Sequence, residues 1–234
     1  MNVTAIVVAA GVGRRFNSKL PKLLSKINSV PIIAYSLKAL DGHPLIKDII
    51  VVINAKNKQS ICDEIRKCAL IKNNKIVVGG RKRQDSVRNG LSAINSRTDL
   101  VLIHDGARPL IDKSAISLVI KEAKKFGASV LGVPVKNTIK ECVVRRASCV
   151  VRKKKALNRD SLWEIQTPQV FRKNLILKAY EKFGNTEVTD DASLVEKLGV
   201  PVKVVMGSYS NIKITTQEDL IIAKAILSFV KREA

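Results

Sequence analysis

The chain has 234 residues, 46% of them hydrophobic and 26% charged, a balance that describes a soluble globular protein long enough to bury a sizeable core. No apolar run approaches the roughly 18 residues of a membrane span, which excludes a helical membrane protein. The 42 lysines and arginines against 20 acids give a formal charge of +22, an excess that attracts polyanions of every kind. Aromatic residues make up only 4%, and neither an RNP-like nor a zinc-finger spacing is present, so a specific nucleic-acid reader is not expected and the excess reads as a basic, solvated surface. Four cysteines, at 62, 68, 142 and 149, lack both C-x-x-C spacing and the density of a disulfide scaffold; reduced structural thiols are expected, with neither zinc nor disulfides. Met1-Asn2-Val3-Thr4 shows no basic leader, so the cytoplasm is the expected compartment.

Short β-branched runs at Val3 to Ala10, Asp48 to Ile53, Lys75 to Val78, Leu100 to Ile103 and Ala128 to Val133 are bounded by Gly, Asn, Asp or Pro, as buried parallel strands are. Helix-period segments lie between them near 31–41, 58–70, 84–96 and 112–126, with Pro31 and Pro44 flanking the first. Repeated strand, helix, strand units imply right-handed crossovers and a layered α/β sheet, one domain across 1–234. The segment 137–159 breaks the alternation. It reads as two short strands, Thr138 to Val144 and Ser148 to Val151, followed by a basic tract, and from Cys142 to Arg159 it carries seven cations and no carboxylate. So small a hairpin is marginal alone and is expected to pack on something else, most economically a second copy of the chain; composition alone fits an ordinary surface loop nearly as well.

The turn after the first strand is the usual phosphate contact of a doubly wound sheet. In "VVAAGVGRRFNSKLPK", residues 7–22, Ala9, Ala10 and Gly11 remove side-chain bulk so that backbone N–H groups can approach a ligand, and Gly13 permits dihedrals closed to other residues. Arg14, Arg15, Lys19 and Lys22 then bring four cations, with Pro21 stiffening the approach to Lys22. Phe16 stands where a dinucleotide fingerprint needs its third glycine, and the Gly-Lys-Ser/Thr of a P-loop is missing. A small-residue turn with a cationic loop suits a nucleoside triphosphate.

A second signal is "VLIHDGARP", residues 101–109, where an apolar strand ends in a carboxylate. A charge at the tip of a central strand needs a cation, and a hard oxygen suits Mg²⁺, which travels with nucleotide phosphates; Asp105 is the candidate metal ligand. His104 reads as a packed or hydrogen-bonded histidine, because a phosphate nucleophile is already ionised. Asp190 and Asp191 read as the N-cap and first-turn acids of a helix and are left outside the chemistry.

Taken in order, "AAGVGRR…PK", "GGRKRQDSV", "HDGARP", "RDSLWEIQTPQVF", "TDDASLVE" and "NIKITTQEDL" span nearly the whole chain. Together they resemble the 2-C-methyl-D-erythritol 4-phosphate cytidylyltransferases of the non-mevalonate isoprenoid pathway. The resemblance implies a Rossmann-like nucleotidyltransferase fold, a three-layer α/β/α arrangement with a mostly parallel sheet, and a homodimer formed through a protruding β-arm at about 137–159. It also implies CTP and methylerythritol phosphate as substrates, with Mg²⁺. By motif, Arg15, Lys22 and Lys213 match catalytic cations around the α-phosphorus. Ala9, Ala10, Gly11, Gly13, Gly79, Gly80, Arg83 and Ser86 match nucleotide-binding positions. Asp105, Arg108, Thr138, Arg159 and Thr167 match positions on the sugar-phosphate side, with Thr138 and Arg159 on the arm and serving the neighbouring subunit. A ribitol 5-phosphate cytidylyltransferase is the nearest alternative; the Ala-Ala-Gly turn and "RDSLWEIQTPQ" favour the isoprenoid family.

Overall fold

The first strand shows why the chain folds as it does. In β1 (Val3–Ala9), Val3, Ala5, Val7 and Ala9 enter one buried cluster while Ile6 enters another. Alternate residues leave a strand on opposite faces, so a strand apolar on both must be covered on both. The computed structural model describes residues 1–18, 20–145, 148–151 and 157–233, and not the side chains of Arg14, 142–145, 148–151 and 230–233. Lys19 and the basic residues Arg146 and 152–155 lie outside the described residues.

After β1 come a small ribbon, β2 (Lys26–Ile27) and β3 (Val30–Pro31), then α1 (Ile32–Asp41), β4 (Ile46–Ile53), α2 (Lys58–Lys67), β5 (Asn73–Val78), α3 (Arg83–Ser92), β6 (Leu100–Asp105), α4 (Lys113–Phe126) and β7 (Ala128–Pro134). The second half adds a hairpin, β8 (Cys142–Arg145) and β9 (Ser148–Val151), then β10 (Trp163–Arg172), α5 (Lys173–Phe183), α6 (Ala192–Glu196), β11 (Lys203–Met206) and α7 (Gln217–Glu233). Seven strands form one sheet in the order β11-β7-β10-β6-β1-β4-β5. β10 runs antiparallel to both neighbours and every other pairing is parallel. The parallel strands therefore end on one edge, where Ala9, Ile53, Val78, Asp105, Pro134 and Met206 stand. Helices α1, α4 and α7 supply Leu37, Ile116 and Ala223 to the cluster on one face, and α3, α5 and α6 supply Val87, Ile176 and Leu194 to the other, giving the three-layer α/β/α arrangement. Among the described residues no helix is long and apolar enough to cross a membrane, and Cys62 and Cys68 are free thiols.

Local chemistry sets the element ends. Helix α4 starts where the Asp112 side chain accepts the Ala115 N–H at 2.7 Å and stops at Gly127, whose φ of 89° is left-handed. Helix α3 ends at Ser92, short of the expected 96, because the Asn95 side chain accepts the Arg97 N–H at 3.0 Å and gives the backbone a competing turn. Helix α2 ends at Lys67 rather than 70, since Ala69 takes a left-handed φ of 49°. The hairpin exists, but its first strand is Cys142–Arg145 and not Thr138 to Val144. Thr138 is exposed in the preceding loop, where the Leu157 N–H donates to the Ile139 carbonyl at 3.2 Å. In β10, a register shift between Ile165 and Gln169 accommodates Pro168 inside a central strand.

Gly90 lets α3 lie on the sheet, for a Cβ there would sit 2.7 Å from Ile6 Cγ2 and 3.1 Å from Val52 Cγ2. Gly90→Ala gains about 1 kcal/mol of helix propensity but meets overpacking of about 1–3 kcal/mol. Urea denaturation should show the variant less stable than the parent; a more stable variant would contradict this packing.

Candidate active site

Loops leaving the carboxyl ends of β1, β4, β5 and β6 enclose a crevice of about 290 Å³. Its walls are small where a ligand must lie close to backbone: Ala9, Ala10 and Gly11 on one side, Gly80 and Ser86 on the other. Ser86 Oγ accepts the Gly80 N–H at 3.2 Å and donates to the Lys82 carbonyl at 3.1 Å, which fixes the start of α3 beside the crevice. Gly79 packs behind this wall; a Cβ there would come within 2.5 Å of Ala10 Cβ and 2.6 Å of Ser86 Oγ. The cationic loop is anchored by Phe16, 2% exposed, whose carbonyl accepts from the Gln217 side chain at 3.0 Å. Gly13, at φ 66°, lets the chain pass Lys22.

Asp105 lies at the centre, nearly buried at the tip of β6. Lys213 Nζ is 2.7 Å from its Oδ2, Arg83 Nε 3.3 Å from its Oδ1 and Arg108 Nε 3.8 Å from its Oδ2. Burial opposes its charge, yet Arg83, Lys213 and Arg108 outweigh burial and hold the carboxyl well below the usual carboxylate range. Lys22 donates to the Ile214 carbonyl at 2.8 Å, beside Lys213. Burial first, then Lys213, press its ammonium below the ordinary lysine value despite Asp105. Four cations, Lys22, Arg83, Arg108 and Lys213, thus crowd around Asp105, an arrangement that a polyanion would relieve. A second hollow of about 230 Å³ shares Lys213 with the crevice and is lined by Arg108, Glu164, Gln166 and Asn211.

Behind Asp105 the hydrogen bonds define one proton arrangement. The Arg108 carbonyl can only accept, so His104 Nε2 donates to it at 3.2 Å and the neutral Nδ1 accepts from the Thr167 hydroxyl at 3.2 Å. Thr167 Oγ1 in turn accepts the Asp105 N–H at 3.0 Å. Asn211 donates to the Thr167 carbonyl at 3.0 Å, and its own carbonyl accepts from Arg108 at 2.7 Å, which ties the Lys213 segment to β10.

Among the described residues no group of three or more His, Cys, Asp or Glu could hold a metal ion. Asp105, the one carboxylate among the residues lining the crevice, is a hard oxygen donor of the kind that holds Mg²⁺ together with substrate phosphates.

The family model for 2-C-methyl-D-erythritol 4-phosphate cytidylyltransferase matches residues 3–229. The chain belongs to that family. It is 43% identical to the Desulforamulus reducens protein of that name, across 97% of this chain and 96% of the relative, and 45% identical to the Caldanaerobacter subterraneus protein of the same name, across 97% and 99%. Among solved structures, 4-diphosphocytidyl-2C-methyl-D-erythritol synthase from Anaerococcus prevotii superposes with a TM-score of 0.82 at 35% identity, covering 97% of this chain and 96% of that one.

Of the residues that this cytidylyltransferase resemblance implied, Ala9, Ala10, Gly11, Lys22, Gly80, Arg83, Ser86, Asp105 and Lys213 line the crevice together. Arg108 lines the adjoining hollow, while Gly13 and Gly79 stand just behind the walls. Thr167 is 4% exposed and reaches Asp105 from behind. Arg15 is exposed in the turn at Arg14–Phe16 and lines neither space, although its charge is felt at Lys22. Thr138 and Arg159 are exposed and line neither; Arg159 donates to the Lys136 carbonyl at 3.1 Å. The reading of Asp190 and Asp191 needs correction in one half. Asp190 caps α6 by accepting the Ser193 N–H at 3.1 Å, but Asp191 makes no cap and instead meets Arg83 Nη1 at 2.8 Å. Asn54, also missed, lines the crevice and donates to the Ala10 carbonyl at 3.2 Å; its signal was a polar residue directly after an apolar strand.

His104 is the packed histidine the sequence suggested, and burial pushes its pKa down to about 4. The unfolded chain binds its proton below about pH 6.5 and the folded chain only near 4, so stability is complete above that window and falls as pH drops through it. The loss should approach about 1.4 kcal/mol per pH unit for this one proton. Denaturation midpoints at pH 7 and 5 should converge in His104→Gln relative to the parent; equal pH dependence in both would contradict a neutral buried imidazole.

Proposed function

We propose that the chain transfers CMP from CTP to 2-C-methyl-D-erythritol 4-phosphate, giving 4-diphosphocytidyl-2-C-methyl-D-erythritol and pyrophosphate. The observation that carries this reading is the cluster of Lys22, Arg83, Arg108 and Lys213 about the ionised Asp105, beside a crevice walled by alanine and glycine. Membership of the family supports the same substrates.

In this reading a 4-phosphate oxygen attacks the α-phosphorus of CTP in line, a new phosphorus–oxygen bond forms, and the bond to the β-phosphate oxygen breaks with the electron pair leaving on pyrophosphate. Both partners are anions, so the chain's first task is to bring them together. Lys22 and Lys213, with Arg15 from the loop turn, oppose that repulsion and the charge that grows on the equatorial oxygens. Cations already fixed by Asp105 and the Ile214 carbonyl need little reorganisation when charge develops. Arg108 and Lys213 border the adjoining hollow and suit the sugar phosphate, and Gly80 and Ser86 suit the base and ribose. Asp105 would hold Mg²⁺, which when bound adds positive charge at the phosphates. No general base is required, which agrees with His104, whose two ring nitrogens are taken up by the Arg108 carbonyl and the Thr167 hydroxyl.

Thr138 and Arg159 act on the sugar phosphate of a neighbouring subunit in this reading, through a homodimer formed by the hairpin. Exposed apolar side chains at the hairpin's base, Ile139, Leu157, Trp163, Ile165 and Met206, support such a contact. Basic charge without a stacking platform supports weak, salt-sensitive binding of nucleic acid and no specific partner of that kind, and the cytoplasm suits the substrates.

Pyrophosphate release measured with each nucleoside triphosphate, and with methylerythritol phosphate against ribitol 5-phosphate, should be fastest with CTP and methylerythritol phosphate. Preference for ribitol phosphate, or for another nucleotide, would overturn the assignment. Lys22→Ala and Lys213→Ala should each lower kcat by about 10²–10³, as when one preorganised donor is removed.

A further inference from the structure

Arg83, the first residue of α3, is held between two carboxylates of different standing. Its Nε lies 3.3 Å from Asp105 Oδ1 at the crevice, and its Nη1 lies 2.8 Å from Asp191 Oδ2. Asp191 is 1% exposed and does not line the crevice. Its other oxygen accepts the Tyr180 hydroxyl at 2.5 Å. Its N–H and that of Ala192 both donate to Gln169 Oε1 at 3.2 Å, and Gln169 donates to Asp190 at 2.8 Å. The acid is therefore fixed by β10, by α5 and by its own turn before it meets the arginine. Helix capping does not account for it, since Asp190 supplies that cap. Stability accounts for it poorly, because the desolvation of two buried charges largely offsets their attraction.

A guanidinium facing a lone carboxylate tends to close on it with two parallel hydrogen bonds. Arg83 does not: it reaches Oδ1 of Asp105 through Nε, and Oδ2 faces Lys213 at 2.7 Å and Arg108 Nε at 3.8 Å. We infer that Asp191 is a positioning residue for the nucleotidyl transfer proposed above, holding Arg83 edge-on to Asp105 so that the guanidinium cannot displace Lys213 from Oδ2. The inference rests on that functional reading. Released from Asp191, Arg83 turns onto both oxygens of Asp105 and Lys213 loses its anchor.

The test is a double-mutant cycle with Arg83→Met, Asp191→Asn and the pair, reading kcat and KM for CTP in turnover and the affinity for CTP alone by titration. Asp191→Asn should lower kcat/KM by about 10–100-fold, and in the Arg83→Met background it should change nothing beyond about twofold, because residues acting through one another are not additive. A merely structural acid would give losses that multiply. Tyr180→Phe keeps the charge and removes one hydrogen bond to Asp191; about 2–5-fold loss is expected in the parent and none beside Arg83→Met. Should Asp191→Asn fail to fold, the Tyr180→Phe pair of measurements decides alone. Multiplying losses, or an Asp191→Asn enzyme within twofold of the parent, would overturn the inference while leaving the activity standing. A parent chain that neither binds CTP nor releases pyrophosphate from it would refute the functional reading, and the inference would fall with it.

Discussion

One carboxylate organises the site. Asp105 is costly where it stands, at the buried tip of a central strand, and it persists as an anion only because Lys213, Arg83 and Arg108 converge on it. Each cation comes from a different stretch of chain: Arg83 from the start of α3, Arg108 from the turn after β6, Lys213 from the loop before α7. Asp105 is therefore the point at which separate loops are brought into one constellation, and its ionisation and their placement depend on each other.

The surplus of positive charge follows from the same constraint. Lys22 is tied by its hydrogen bond to the Ile214 carbonyl, next in sequence to Lys213, and the like charges raise the energy of the cluster. In the proposed function a triphosphate lowers it. Binding energy of that origin grows as negative charge accumulates, so it favours the crowded arrangement of two phosphates over either phosphate alone. The cluster is also sheltered from water on its inner side by Thr167, His104 and Asn211, all nearly buried and all hydrogen-bonded to one another or to the backbone beneath Asp105. Fixed dipoles in that position do not need to reorient during the transfer.

Much of this was legible in the sequence, and the reason is physical. Parallel strands covered on both faces are apolar throughout, so β1, β4, β6 and β7 stood out as short β-branched runs, and the residues directly after them fell on the ligand-binding edge. Gly11, Asp105 and Lys22 could be read from the residues themselves, while Gly80 came only with the family resemblance. Other parts were hidden because their meaning is tertiary. Asp191 looks like a helix-start acid until Arg83, more than a hundred residues earlier, is folded against it. Strand β10 carries Pro168 and polar residues in a central position, so no short β-branched run marked it in the sequence. Thr138 favours a strand by residue type, but the strand of the hairpin starts only at Cys142. Arg15 belongs to the right loop and its charge is felt at Lys22, yet it is exposed and lines neither space, so proximity in sequence did not translate into a shared wall.

The most direct measurement is a crystal structure of the chain with CTP. The triphosphate should lie against Lys22 and Lys213 with Asp105 beneath it, and the base should rest between Gly80 and Ala10 near Ser86. A nucleotide bound elsewhere, with this cation cluster left without phosphate, would contradict the account at its centre.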